Sequence, residues 1–179
     1  ISAIEYDVSE NRPKAIFSES WSYAYKLFPN AFTKEDEKHK NELLGIASDF
    51  WLLSNKISEY RKDNKEMVIP GYVYLEGLIR RGVQKIGIQY PQTNSSGRRI
   101  FNLSMFNGST GRLNNSNNNG KPEQIIYLEK LYSIFHTYRN AFAHSDELNT
   151  IPRPIVDNER AKELLQNACE LFDEYYNLF

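Results

Sequence analysis

Residues 122–145 read PEQIIYLEKLYSIFHTYRNAFAHS. Pro122 suits a first helical position, where its fixed φ and missing N–H cost nothing. Leu128, Leu131, Tyr132, Phe135, Tyr138 and Phe142 then recur at three- and four-residue steps, the period of a helix with one buried stripe. The stretch predicts a long amphipathic helix over about 122–145. Working outward, residues 157–179 repeat the pattern with Ala161, Leu164, Leu165, Ala168, Phe172, Tyr175 and Phe179, behind Asp157 as cap. A third helix is expected from Thr33 to about residue 60, through Leu43, Ala47, Phe50, Trp51 and Ile57. Pro70 is expected to start a fourth, burying Tyr72, Leu75, Ile79, Val83 and Ile86. A shorter aromatic helix surrounds Trp21, Tyr25 and Phe28.

Between residues 88 and 121 the period fails. This stretch holds Gly97, Gly108, Gly111 and Gly120 and an asparagine-rich run from Asn114 to Asn119. Such a composition buries little apolar surface, so a mobile surface loop is expected. Residues 100–106 (IFNLSMF) are expected to form a short strand or an apolar patch. The helices flanking the loop both need partners, which favours one domain over residues 1–179. The expected fold is an all-α bundle with one long irregular insertion at about 88–121.

Composition bounds function only loosely. The 179 residues carry 22 lysines and arginines against 23 acids, a formal charge of −1. No general basic excess exists to coat a polyanion. Hydrophobic residues make up 40% of the chain, enough for a core. The single cysteine, Cys169, excludes an internal disulfide framework. No apolar run reaches the roughly 20 residues a membrane span needs. The chain begins on isoleucine with no signal peptide, so a cytoplasmic domain cut from a longer protein is expected.

The informative residues are charges on helices. At about 100° per residue, Arg139 falls inside the apolar stripe of its helix. A guanidinium there must be paired or face a wet cavity. Glu76 lies on the shoulder of the preceding stripe, four residues from Tyr72 and three from Ile79. A pairing of Glu76 with Arg139 solves both problems, either as architecture or as part of a site. Arg80, one turn after Glu76, is a competing local partner.

His144 lies five residues after Arg139, and His136, Asn140 and His144 follow one edge of the helix. An imidazole titrating near neutrality can serve as general base or acid. An arginine beside it can hold a phosphate in a two-point fork. Together they suit proton transfer at a phosphodiester without a metal. The plainer role for His144 is a helix C-cap, and for His136 a flanking donor. His39 falls in the charged run Lys34 to Lys40, read as a solvated face. No metal site is expected, because three histidines without clustered carboxylates do not make one. A phosphate-cradling glycine loop and a serine-nucleophile signature are both missing, so no cofactor is expected.

Arg139-Asn140-Ala141-Phe142-Ala143-His144 resembles the R-x4–6-H motif of HEPN-domain ribonucleases. More narrowly, the chain resembles the C-terminal region of the RNase LS (RnlA/LsoA-type) toxins of toxin–antitoxin systems. The likeness rests on Tyr74-Leu75-Glu76-Gly77-Leu78-Ile79, on the run from Pro122 to His144, and on a variable insertion between them. It implies a HEPN-like helical bundle, the C-terminal part of a larger toxin. It further implies a metal-independent endoribonuclease that dimerises so that two motifs share one cleft. By that resemblance His144 is catalytic base or acid and Arg139 binds the scissile phosphate. Glu76 orients Arg139 or moves a proton, and Asn140 helps position the ribose or phosphate. His136 is a further substrate-binding candidate. The implied partners are RNA, a protein antitoxin and a second copy of the chain. Some HEPN toxins carry a tyrosine two residues after the histidine as a modification site. Here Ser145 and Asp146 follow, which points to neutralisation by direct antitoxin binding. Asp146 and Glu147 also set negative charge near the expected phosphate site. The competing reading is a non-catalytic HEPN-like module that binds RNA or a protein. A helical dimerisation or small-molecule-sensing domain is a third.

Overall fold

A computed structural model describes residues 6–7, 12–55, 62–114, 116–142 and 155–179, with side chains at 6–7, 12–18 and 139–142 outside the described set. The chain is mostly helical, with two minimal antiparallel sheets of two strands each among the described residues. It divides into two compact units. One comprises Ile1–Gly71 with Ile155–Asp173, and the other Tyr72–Pro154 with Glu174–Phe179. No helix among the described residues is long and apolar enough to cross a membrane.

The first unit opens with β1 (Tyr6–Asp7) paired to β2 (Arg12–Pro13), followed by α1 (Lys14–Leu27), α2 (Pro29–Lys34) and α3 (Glu37–Ser54). The helix expected from Thr33 onward is two helices. Glu35 and Asp36 are extended, and the Asp36 carboxylate accepts the backbone N–H of His39 at 2.9 Å. An aspartate three residues ahead of an orphan N–H is a strong N-cap, so α3 starts there. Thr33 instead turns its hydroxyl back to the Pro29 carbonyl at 2.6 Å, inside α2. Ala24, Phe28, Phe32, Leu43, Ile46, Ala47 and Leu53 are buried, and Phe28 meets Phe172 with ring centroids 5.6 Å apart.

Phe172 belongs to α6 (Asn158–Leu178), which starts where the sequence predicts. The Asp157 carboxylate accepts the Arg160 N–H at 2.8 Å. Two side chains on α6 finish other helices. Asn158 donates to the Leu53 carbonyl at 2.9 Å, at the end of α3, and Asp173 accepts the Ala31 N–H at 2.9 Å in the first turn of α2. Each satisfies a backbone group that a helix end leaves without a partner.

α4 (Lys65–Lys85) begins five residues earlier than expected, with Pro70 inside it. Asp63 accepts the Lys65 N–H at 3.3 Å, and Met67 N–H bonds to the Asn64 carbonyl at 3.1 Å. These contacts begin the helix, and Pro70 falls early enough that only one intrahelical donor is lost.

In the second unit, α4 from Tyr72 onward lies antiparallel to α5 (Pro122–Phe142). Tyr72 stacks on Tyr138 with centroids 3.5 Å apart, and a Cβ on Gly82 would come within 2.5 Å of a Leu128 methyl. As α4 advances ten residues, α5 runs back ten. Close approach at Gly82 lets Leu75, Leu78, Ile79 and Val83 pack on Leu128, Leu131 and Phe135 as one core. α4 stops at Gly87, whose φ of 86° only glycine adopts without strain, while Ile88 N–H reaches back to the Val83 carbonyl at 3.0 Å.

Residues 88–121 are not a loose loop. Gln92–Thr93 (β3) and Arg99–Ile100 (β4) make a hairpin, and Phe106 bridges Leu113. Met105 and Phe106 are buried, and Phe106 stacks on Tyr132 of α5 with centroids 4.4 Å apart. The asparagines build the turns. Asn94 accepts from the N–H groups of Ser96 and Arg98, Asn107 from those of Ser109 and Thr110, and Asn118 from that of Gly120. The segment thus replaces missing ladder bonds with side-chain-closed turns.

Candidate functional site

Of the five residues singled out from sequence, the structure describes the side chains of Glu76 and His136. Arg139 and Asn140 lie in the last turn of α5, whose backbone is described there, while their side chains are outside the described set. His144 lies outside the described residues altogether.

Glu76 sits on α4 between the buried Leu75 and the half-buried Gly77, its side chain a quarter exposed. Its carboxylate takes a short hydrogen bond from the Arg80 guanidinium one turn on, the local partner that helical spacing allows. In the α4–α5 register, Glu76 is level with Ile134. Five residues, about 7.5 Å of helix rise, separate that level from Arg139. The two positions are thus on adjoining helices and about one and a half turns apart.

Arg80 continues the chain of contacts. Its guanidinium lies over the Tyr90 ring, 5.4 Å from the centroid. Burial raises the Tyr90 phenol above its ordinary value, Arg80 opposes that shift, and the Glu76 charge adds to it. Gln84 donates to the Tyr90 carbonyl at 2.8 Å, and the Tyr90 hydroxyl donates to the Phe101 carbonyl at 2.7 Å. Glu76 is therefore tied, through Arg80 and Tyr90, to the end of the β3–β4 hairpin. Sequence reading named Arg80 as a competitor but missed Tyr90 and Phe101. The available signal was the order Arg-Arg-Ile-Phe over residues 98–101, cations beside an aromatic in a stretch without helical period.

His136 is half-buried on α5. Its ring lies near-parallel to Tyr132 at 5.4 Å, extending the stack that begins with Phe106, and a Cβ on Gly108 would sit 3.8 Å from its Nε2. The insertion therefore reaches α5 beside this histidine.

Two other clusters show what is architecture. Arg81 lies over the rings of Tyr74 and Tyr175, whose neighbour Tyr176 shares a 2.8 Å hydrogen bond with Tyr74. This is a cation packed among aromatics. His39 is not merely on a solvated face. Its Nδ1 lies 2.8 Å from Asp36 and 3.6 Å from Glu35, and the three side chains form one compact group. The break between α2 and α3 brings both carboxylates to the first turn of α3, something helical spacing alone did not anticipate. The Asp36 oxygen is engaged there in capping the helix.

Compared with known proteins, the chain matches no family model, no curated protein and no solved structure.

Proposed function

We propose that the chain is a metal-independent endoribonuclease of HEPN type that works as a homodimer. In this reading it is the toxin of a toxin–antitoxin or phage-defence system. The carrying observation is the antiparallel α4–α5 pair, with Glu76 on one helix and Arg139-Asn140 ending the other. This is the order the motif resemblance requires of a HEPN-like bundle.

The chemistry follows from RNA itself. The 2′-oxygen attacks the adjacent phosphorus, the P–O5′ bond breaks, and a 2′,3′-cyclic phosphate and a 5′-hydroxyl result. His144 takes the 2′-proton or delivers one to the leaving oxygen. Arg139 complements the charge that grows on the phosphoryl oxygens. Glu76 orients Arg139 or moves a proton, and Asn140 and His136 hold the substrate. DNA lacks the attacking hydroxyl and should resist cleavage.

Purified protein incubated with labelled RNA in EDTA tests the reading. Cleavage is expected, with a loss of at least a hundredfold in His144→Ala and Arg139→Ala whose helical content is unchanged. Glu76→Gln should cut more slowly. Full EDTA-resistant activity in both alanine variants defeats the proposal.

A second reading has one observation in its favour. The Glu76 carboxylate already has Arg80 as partner, as a purely architectural pair would. The chain is then a non-catalytic module binding RNA or a protein, and a stoichiometric complex without cleavage of any RNA identifies it.

A further inference from the structure

We infer that the β3–β4 hairpin is a platform for an unpaired RNA strand, on which a base stacks on Phe101 while Arg98 and Arg99 hold phosphates. The inference takes its substrate class from the ribonuclease reading and adds the surface that receives it.

Charge is the first observation. Residues 88–121 contain Arg98, Arg99, Arg112 and Lys121 and not one aspartate or glutamate. At the chain's average acid content, about four would fall in a stretch of that length. The segment thus carries +4 in a chain of net charge −1, leaving −5 on the remainder. Among the described residues, Arg98 and Arg99 meet no carboxylate, and both are exposed. A protein without general basic character here gathers cations without acids in one segment, two of them side by side at the hairpin, the local attraction a single polyanionic strand requires.

Geometry is the second. Arg99 stands opposite Thr93 and Ile100 opposite Gln92. Arg98 and Arg99 are exposed, Ile100 is half-buried and Phe101 is exposed again. Phe101 directly follows β4, two residues from Arg99 and so within about 7 Å of it along the chain. Phe101 leaves 57% of its surface in water. It does so in a braced position, with its carbonyl held by the Tyr90 hydroxyl and its ring set edge-on to Tyr90 with centroids 6.5 Å apart. Ser104 hydrogen-bonds Gln92 at 2.7 Å across the base of the hairpin, and Asn94 closes its turn just before Arg98. An exposed aromatic ring with two exposed cations two and three residues before it, braced before any ligand arrives, matches single-strand recognition. Every base has a π-face, and preorganisation lowers the ordering cost. A duplex keeps its bases stacked on one another and offers no such face. A contact path from Phe101 through Tyr90 and Arg80 joins the hairpin to Glu76, the proposed acidic residue.

The test separates binding from cutting. Anisotropy of a labelled, unstructured RNA dodecamer is measured with His144→Ala protein, alone and with hairpin substitutions added. Phe101→Ala should weaken binding five- to a hundredfold and Phe101→Tyr should restore it. Arg98→Gln with Arg99→Gln should lower the slope of log affinity against log salt by about 1.4. In the active protein, Phe101→Ala should raise KM with kcat kept. A blunt RNA duplex should bind weakly and ignore Phe101→Ala. Unchanged affinity and salt slope in variants of a protein that cuts RNA overturn the platform and leave the ribonuclease reading standing. Loss of RNA binding in Phe101→Ala, from a protein that cuts nothing, retires the ribonuclease reading and keeps the platform. Weakened binding of poly-glutamate with intact RNA affinity overturns it in favour of an acidic protein partner.

Discussion

Asp63 shows how much one exposed carboxylate can decide. Partial burial would raise its pKa, but hydrogen bonds from the Lys65 side chain and from the backbone N–H groups of Val156 and Lys65 outweigh that, and the net shift is downward. Its folded value lies below its ordinary 3.8. The group therefore contributes stability that is complete above the ordinary value and lost as pH falls through the folded one. Urea midpoints taken from pH 6 down to pH 3 should fall for the native chain, and Asp63→Asn should be less stable at pH 6 with a flatter descent. A parallel descent in the variant shows that Asp63 contributes nothing. The same residue explains a failure of sequence reading. Pro70 is a strong start signal in isolation, yet Asp63 and Asn64 supply the capping bonds first, and a proline in the second turn is cheap once a helix has begun.

At the scale of elements, the long helices were legible because burial imposes their period. The stripes of α4, α5 and α6 are the core residues observed: Leu75, Ile79 and Val83, then Leu128, Leu131 and Phe135, then Leu165, Ala168 and Phe172. Within residues 88–121 the apolar run 100–106 was legible, giving the end of β4 and the buried Met105 and Phe106, but the turns around it were illegible for the opposite reason. Their order comes from asparagine side chains answering backbone N–H groups two to four residues on, which leaves no periodic trace. Asn107→Ala should accordingly cost about 1–2 kcal/mol in urea unfolding, with faster hydrogen exchange at Ser109 and Thr110. Asn114→Ala, on an exposed side chain, should cost nothing measurable. Equal effects would show that composition, and not specific turn geometry, orders the segment. For the candidate site, sequence supplied Glu76 and its competitor Arg80. It could not supply Tyr90 and Phe101, because their relation to Arg80 depends on where the hairpin turns.

At the scale of the whole molecule, the first unit is discontinuous: its helices α1 to α3 share their core with α6, drawn from beyond residue 155. Phe28 rests on Phe172, the end of α3 is closed by Asn158, and α2 begins on the carboxylate of Asp173. A chain ended at residue 154 should therefore lose helical content over 19–54 and bind a hydrophobic dye, and amide exchange in α3 should report it. Protection equal to the full chain would show that α1 to α3 stand unaided. The same layout puts a clock on synthesis. A ribosome adding about 5–20 residues per second needs roughly 4–17 s to travel from residue 71 to residue 155. For that interval Phe28 and the end of α3 at Leu53 have been made without α6, which meets both, while everything from Tyr72 to Pro154 is being made. Each newborn copy must keep an unfinished apolar face from its neighbours on the polysome until α6 arrives.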